Sequence, residues 1–287
     1  MMWAVLAIAL AGRVELTIEG VGGPVTQSQR LMLQATLQRT SNWYDTALDV
    51  PTPHPLPMHI TVYTDEDAFT AIKREKGAPM WAAGFFHRRG RQAEAHLFAA
   101  SNERMQATFL HEASHYLLAF GGRSPKWLNE GLAEVLESAT VRGNTLTVTP
   151  TRHQLYGLSR VDKPTVRAIV EGNSAWNDLP GDEVGPLYAS AWGLTAMLVE
   201  SPQGQKTIKA MLSAYRRQPT NDAVVGAIES TWPGGMDGLQ RDFERWIARP
   251  SKTVILNAPI RNQPSAPDAL WIRCDDGRLV SRSLGCR

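Results

Sequence analysis

Apolar and polar residues alternate over residues 14–18, the period-two pattern of a half-buried strand. From Gln27 to Leu48 the spacing changes to that of a helix, with Leu31, Leu37, Tyr44 and Leu48 among its apolar positions. Residues 60–63 read as a short strand, and Thr64 as the cap of a helix through Lys76 that Gly77 ends. Two β-like runs follow, residues 82–87 and 93–99, on either side of the basic turn Arg88-Arg89-Gly90-Arg91; they predict an antiparallel hairpin. Ser101 then caps a long helix from Asn102 to about Phe120, stopped by Gly121-Gly122. Ser124-Pro125 opens another, with proline at its first position, running to about Ser138. Residues 145–149 alternate as a strand. Beyond Lys163 the pattern is mostly helical, over residues 165–171, 186–200, 204–216, 222–231 and 236–247.

Strands therefore concentrate early and helices late, which predicts an α+β fold. A small sheet lobe (about residues 12–150) carries the long helix, and a mostly helical lobe (about residues 151–249) follows. After Pro250 the prolines 259, 264 and 267 mark a linker. It leads to a C-terminal hairpin in which residues 270–274 and 278–280 flank Asp275-Asp276-Gly277. The first eleven residues are apolar and end in the small-x-small triplet Ala9-Leu10-Ala11. They predict a signal peptide and export, although no positive charge precedes the apolar run. That run is too short to span a bilayer.

Composition narrows the chemistry. With 287 residues, 43% hydrophobic and 20% charged, the chain is of globular type. A net charge of +2 gives no electrostatic reason to expect nucleic acid as a partner. The 2 cysteines, Cys274 and Cys286, exclude an all-thiolate zinc site; both lie in the C-terminal appendage, where a disulfide would agree with export. A metal site must therefore use histidine and carboxylate, and the chain has only 7 histidines.

Two of these stand in His111-Glu112-Ala113-Ser114-His115, within the long predicted helix. Positions i and i+4 share one helix face, so both imidazoles can reach one cation, with Glu112 beside them as a proton acceptor. A catalytic zinc takes three protein ligands and keeps one position open for water. The next helix, Trp127-Leu128-Asn129-Glu130-Gly131-Leu132-Ala133-Glu134, offers Glu130 and Glu134 on one face, and Gly121-Gly122 permits the chain reversal.

HEASH followed by WLNEGLAE resembles the gluzincin zinc metallopeptidases, most nearly the peptidase MA-like proteins. The resemblance covers residues 60 to about 200. It implies a zincin-like fold, one Zn²⁺ held by His111, His115 and Glu130, and Glu112 as general base in peptide-bond hydrolysis. It implies for Glu134 the role of an acid that orients a ligand histidine. Glu134 in place of Glu130 is the alternative third ligand, because both occupy one face.

An oxyanion developing beside the zinc needs a donor. Tyr188, in the helix beginning near Pro186, is the candidate, with Tyr156 second. His87, in the hairpin, could line a cleft where extended peptide adds to an edge strand. The expected partner is a peptide or protein substrate, with no membrane-spanning segment. Two other readings stay open at this point: an inactive zincin-fold binding module, and a structural zinc closed by a fourth ligand such as Glu134.

Overall fold

The computed structural model describes residues 14–52, 56–80, 82–89, 92–161, 165–172, 181–257, 271–273 and 279–281. The apolar N-terminal run, His54, Cys274 and Cys286 lie outside these residues, so the signal-peptide and disulfide expectations do too.

The fold is mixed α/β. Strand β1 (Val14–Val21) leads through helix α1 (Gln27–Leu48) to β2 (Leu56–Tyr63). Helix α2 (Glu66–Lys76) and the hairpin β3 (Gly84–Arg89) and β4 (Gln92–Phe98) follow. The sheet order is β1-β2-β4-β3. β1, β2 and β4 run parallel, and β3 is antiparallel at one edge. One capping detail departs from expectation. Asp65, not Thr64, caps α2, accepting from Asp67 and Ala68 N–H, while the Thr64 hydroxyl bonds Val21 C=O. Leu31, one of the apolar positions of α1, is exposed.

The period-two pattern of the strands decides what covers each face. Leu56, Met58, Ile60 and Val62 of β2, with Ala93, Ala95 and Leu97 of β4, join the main core. Against them pack α1 and the long helix α3 (Asn102–Phe120), which Ser101 caps as the sequence predicts. The other sheet face, with Tyr63 and Phe85, carries a smaller cluster under Phe69 of α2. Two buried polar links fix the rotation of α3. The hydroxyls of Tyr44 in α1 and Ser114 share a hydrogen bond of 2.6 Å, and Tyr116 donates to Pro57 C=O at 2.6 Å.

Helix α4 (Lys126–Glu137) starts one residue later than predicted, with Pro125 as its cap and no side-chain capping hydrogen bond. Gly122, at φ 93°, makes the reversal from α3 to α4 in a conformation that costs other residues free energy. Strands β5 (Ala139–Arg142) and β6 (Thr145–Val148) follow, then α5 (Arg152–Arg160) and α6 (Val166–Glu171). Helices α7 (Gly181–Val199), α8 (Pro202–Arg217), α9 (Asn221–Thr231) and α10 (Gly235–Ile247) complete the second half. Strand β7 (Val254–Asn257) pairs with β6, so the stretch read as linker after Pro250 first contributes a third strand to the β5-β6-β7 sheet. β8 (Trp271–Arg273) and β9 (Leu279–Ser281) form the C-terminal hairpin. One continuous core runs from Val14 to Leu256, joining the two predicted lobes. Among the described residues no helix is long and apolar enough to cross a membrane.

Helix α7 is gripped from two sides by glycines. A Cβ on Gly131 of α4 would lie 2.2 Å from Thr195 Oγ1 and 2.7 Å from Ala191 C=O, and one on Gly157 of α5 would lie 2.7 Å from Ala189 Cβ. Because Ala191 C=O is backbone, α4 and α7 would have to separate to admit a methyl group. Gly131→Ala is therefore expected to destabilise the fold by about 1–3 kcal/mol, the usual cost of overpacking, measured as a lowered denaturant midpoint with unchanged slope.

Candidate metal centre

His111 and His115 sit one turn apart on α3, their ring centroids 4.9 Å apart. Since Ser114 faces α1, the two histidines face α4. There Glu130 presents one carboxylate oxygen to both: Oε2 lies 3.9 Å from His111 Nε2 and 3.8 Å from His115 Nε2. His111, His115 and Glu130 each offer a donor atom within 4.8 Å of the others. Two donors on one tetrahedral zinc, each about 2.0–2.1 Å from the ion, stand about 3.4 Å apart. The Glu130 oxygen needs to approach each imidazole nitrogen by only about half an ångström, which a carboxylate torsion supplies.

The opposite edges of the imidazoles are held. His111 Nδ1 lies 2.8 Å from Glu137 Oε2, and His115 Nδ1 lies 2.8 Å from Asn129 Oδ1. With each Nδ1–H donated to an oxygen, loss of the Nε2 proton on metal binding leaves the lone pair there, and both Nε2 atoms turn toward Glu130. The two histidines and the carboxylate thus fit a borderline-soft divalent ion such as zinc in donor type, number and tautomer.

The acid on His111 is therefore Glu137 and not Glu134. Glu130, Glu134 and Glu137 follow the i, i+4, i+7 stripe of α4, so all three face the centre. Glu134 is instead engaged by α5: Gln154 Nε2 donates to its Oε2 and to its backbone carbonyl, both at 3.0 Å. Gln154 is itself set by the Thr151 capping box that opens α5. Glu134 falls in a second potential ligand group with His111 and Glu137, without His115. Of the two carboxylates weighed as third ligand, Glu130 is the one that faces both imidazoles.

Glu112 is buried at 9% exposure, and burial raises its carboxyl above the usual range, against the pull of the neighbouring imidazoles. That makes it a stronger base than a solvated glutamate. Tyr188 of α7 is hydrogen-bonded to Glu130. Burial first, then the charges of Glu130 and Glu134, push its phenol up, so it stays protonated and can donate.

The remaining candidates lie elsewhere. His87 is exposed on the edge strand β3, in register with Glu94. Tyr156 is exposed and accepts from Arg160 Nη1 at 3.3 Å. His96 is buried, bonded to Tyr63 through Nδ1 and stacked on Phe85 at 4.6 Å; burial lowers its pKa. His59 pairs with Glu19 at 3.3 Å, and His153 is exposed. Three residues absent from the sequence reading of the site have roles in it: Glu137, Gln154 and the amide of Asn129.

Burial alone would lower the pKa of His111, but the hydrogen bond to Glu137 and the charges of Glu112, Glu137 and Glu134 override it and push the group up to about 9. In the metal-free chain, a folded-state value above the unfolded 6.5 contributes stability that is complete below about pH 6.5 and lost as pH rises through about 9. Burial raises Glu112 and Glu134 as well, so their ionisation acts in the same direction. The metal-free chain is expected to unfold at progressively lower denaturant between pH 6.5 and 9, and saturating zinc is expected to flatten that slope. Denaturant midpoints against pH, with chelator and with zinc, measure both.

No protein-family model matches the chain, and no curated protein matches it.

Proposed function

We propose that the chain is a zinc-dependent hydrolase of peptide bonds, built on the gluzincin plan. The observation that carries this reading is the convergence of His111, His115 and Glu130 from two helices, with both Nδ1 atoms held and a buried carboxylate, Glu112, between the histidines. Zinc, when bound by these three residues, supplies Lewis acidity toward the carbonyl and lowers the pKa of water.

The protein's own groups do the rest. Glu112 takes the proton of the attacking water as its oxygen bonds to the carbonyl carbon, and returns it to the leaving nitrogen as the C–N bond breaks. Its burial supports this, since a carboxyl raised above its solvated range accepts a proton more readily. The Tyr188 hydroxyl, kept protonated, turns from its hydrogen bond with Glu130 to donate to the oxyanion. The edge of β3, which packs on α3 and is unpaired among the described residues, offers backbone groups for an extended substrate, with His87 exposed along it. The engagement of Glu134 by Gln154 favours a three-ligand, open centre over a structural zinc closed by a fourth carboxylate. Export, argued from the N-terminal pattern, belongs to the same reading.

A digest of proteome-derived peptides by the zinc-loaded chain tests it. New peptide termini should appear with zinc and vanish with chelator. Their absence with zinc bound would leave the inactive binding module as the better reading.

A further inference from the structure

A hollow of about 290 Å³ opens beside the metal centre. His115 and Asn129 form one wall; Arg123, Ser124 and Tyr215 form the rest of its polar lining. Because His115 is a wall, a group in this hollow belongs to a residue next to the cleaved bond. The polar lining is rich in donors. Arg123 brings a guanidinium, Ser124 and Tyr215 bring hydroxyls, and Asn129, whose oxygen accepts from His115, brings an NH₂. No acidic side chain lines the hollow, and Arg123 is exposed without an acidic partner among the described residues.

The charge around this hollow is opposite to that at the centre itself. In the metal-free chain Glu112, Glu130, Glu134 and Glu137 crowd the two histidines, whereas a substrate carboxylate entering the hollow faces no acidic lining side chain. At the hollow it meets a cation. The volume suits one side chain or one chain terminus.

We propose that this hollow is a carboxylate-binding subsite, with Arg123 as its specificity-determining residue. The preferred substrates then carry a carboxylate beside the cleaved bond, either an acidic side chain or a free C-terminus. This rests on reading the centre as a peptide-cleaving site.

The test separates the two sources and the two readings. Zinc-loaded Glu112→Gln chain is titrated with dye-labelled octapeptide pools of three kinds: glutamate-containing with amidated ends, glutamine-containing with amidated ends, and glutamine-containing with free C-termini. One of the two carboxylate pools should bind about fivefold tighter than the amidated glutamine pool, the scale of one partly exposed ion pair, and its identity names the source. Arg123→Gln should erase the difference, and Arg123→Glu should shift the preference to lysine-containing peptides. Equal or absent binding of all three pools, or a preference untouched in Arg123→Gln, overturns the proposal. A preference that depends on Arg123 in a chain whose parent cleaves nothing would uphold the subsite while removing hydrolysis.

Discussion

Replacing Glu112 by glutamine is expected to lower peptide turnover by about 10²–10⁴-fold, the range for loss of a general base, with zinc content unchanged. The two effects separate because Glu112 is not one of the three residues that converge as ligands, yet sits between the two histidines in sequence and is itself buried. Glutamine keeps the shape and loses the ability to take a proton. It also removes a buried carboxyl whose ionisation burial opposes, so the fold should be no less stable. Initial rates measured beside zinc stoichiometry check this. A variant as fast as the parent would remove Glu112 from the chemistry.

The second large effect is expected at Glu137. Glu137→Gln should weaken zinc binding by about 10–100-fold, the usual penalty for losing an acid that orients a ligand histidine. The reason is local. His111 Nδ1 is 2.8 Å from Glu137 Oε2, and that contact both fixes the tautomer and stabilises the ring. Glu134→Gln should have a much smaller effect, since the contact of Glu134 is with Gln154 and not with an imidazole nitrogen at hydrogen-bonding distance. Competition against a zinc-chelating dye ranks the two variants. A ranking with Glu134→Gln the more damaging would return the orienting role to Glu134.

The difference between these two glutamates marks where sequence reading stops. Both lie on the stripe of α4 that faces α3, and the stripe itself is visible as i, i+4, i+7 spacing. Which of them meets His111 depends on Gln154, which comes from α5. That helix is too short to show a clear helical period, although Thr151 and Gln154 spell a capping box. Helices α1 and α3 were readable to the residue because their caps are local: Thr26 with Gln29, and Ser101. Strand β7 was not readable, since its reason for being a strand is β6, more than a hundred residues earlier. The meeting of Glu130 with both histidines was readable because α3 and α4 are joined by a short turn at Gly122.

The zinc stoichiometry of the chain and of two variants tests the centre most directly. After exposure to excess zinc and exhaustive dialysis, the parent should retain one zinc per chain. His111→Ala and Glu130→Ala should retain much less while staying folded by circular dichroism. A parent that retains no zinc, or folded variants that retain it as well as the parent, would contradict a metal centre built on His111, His115 and Glu130.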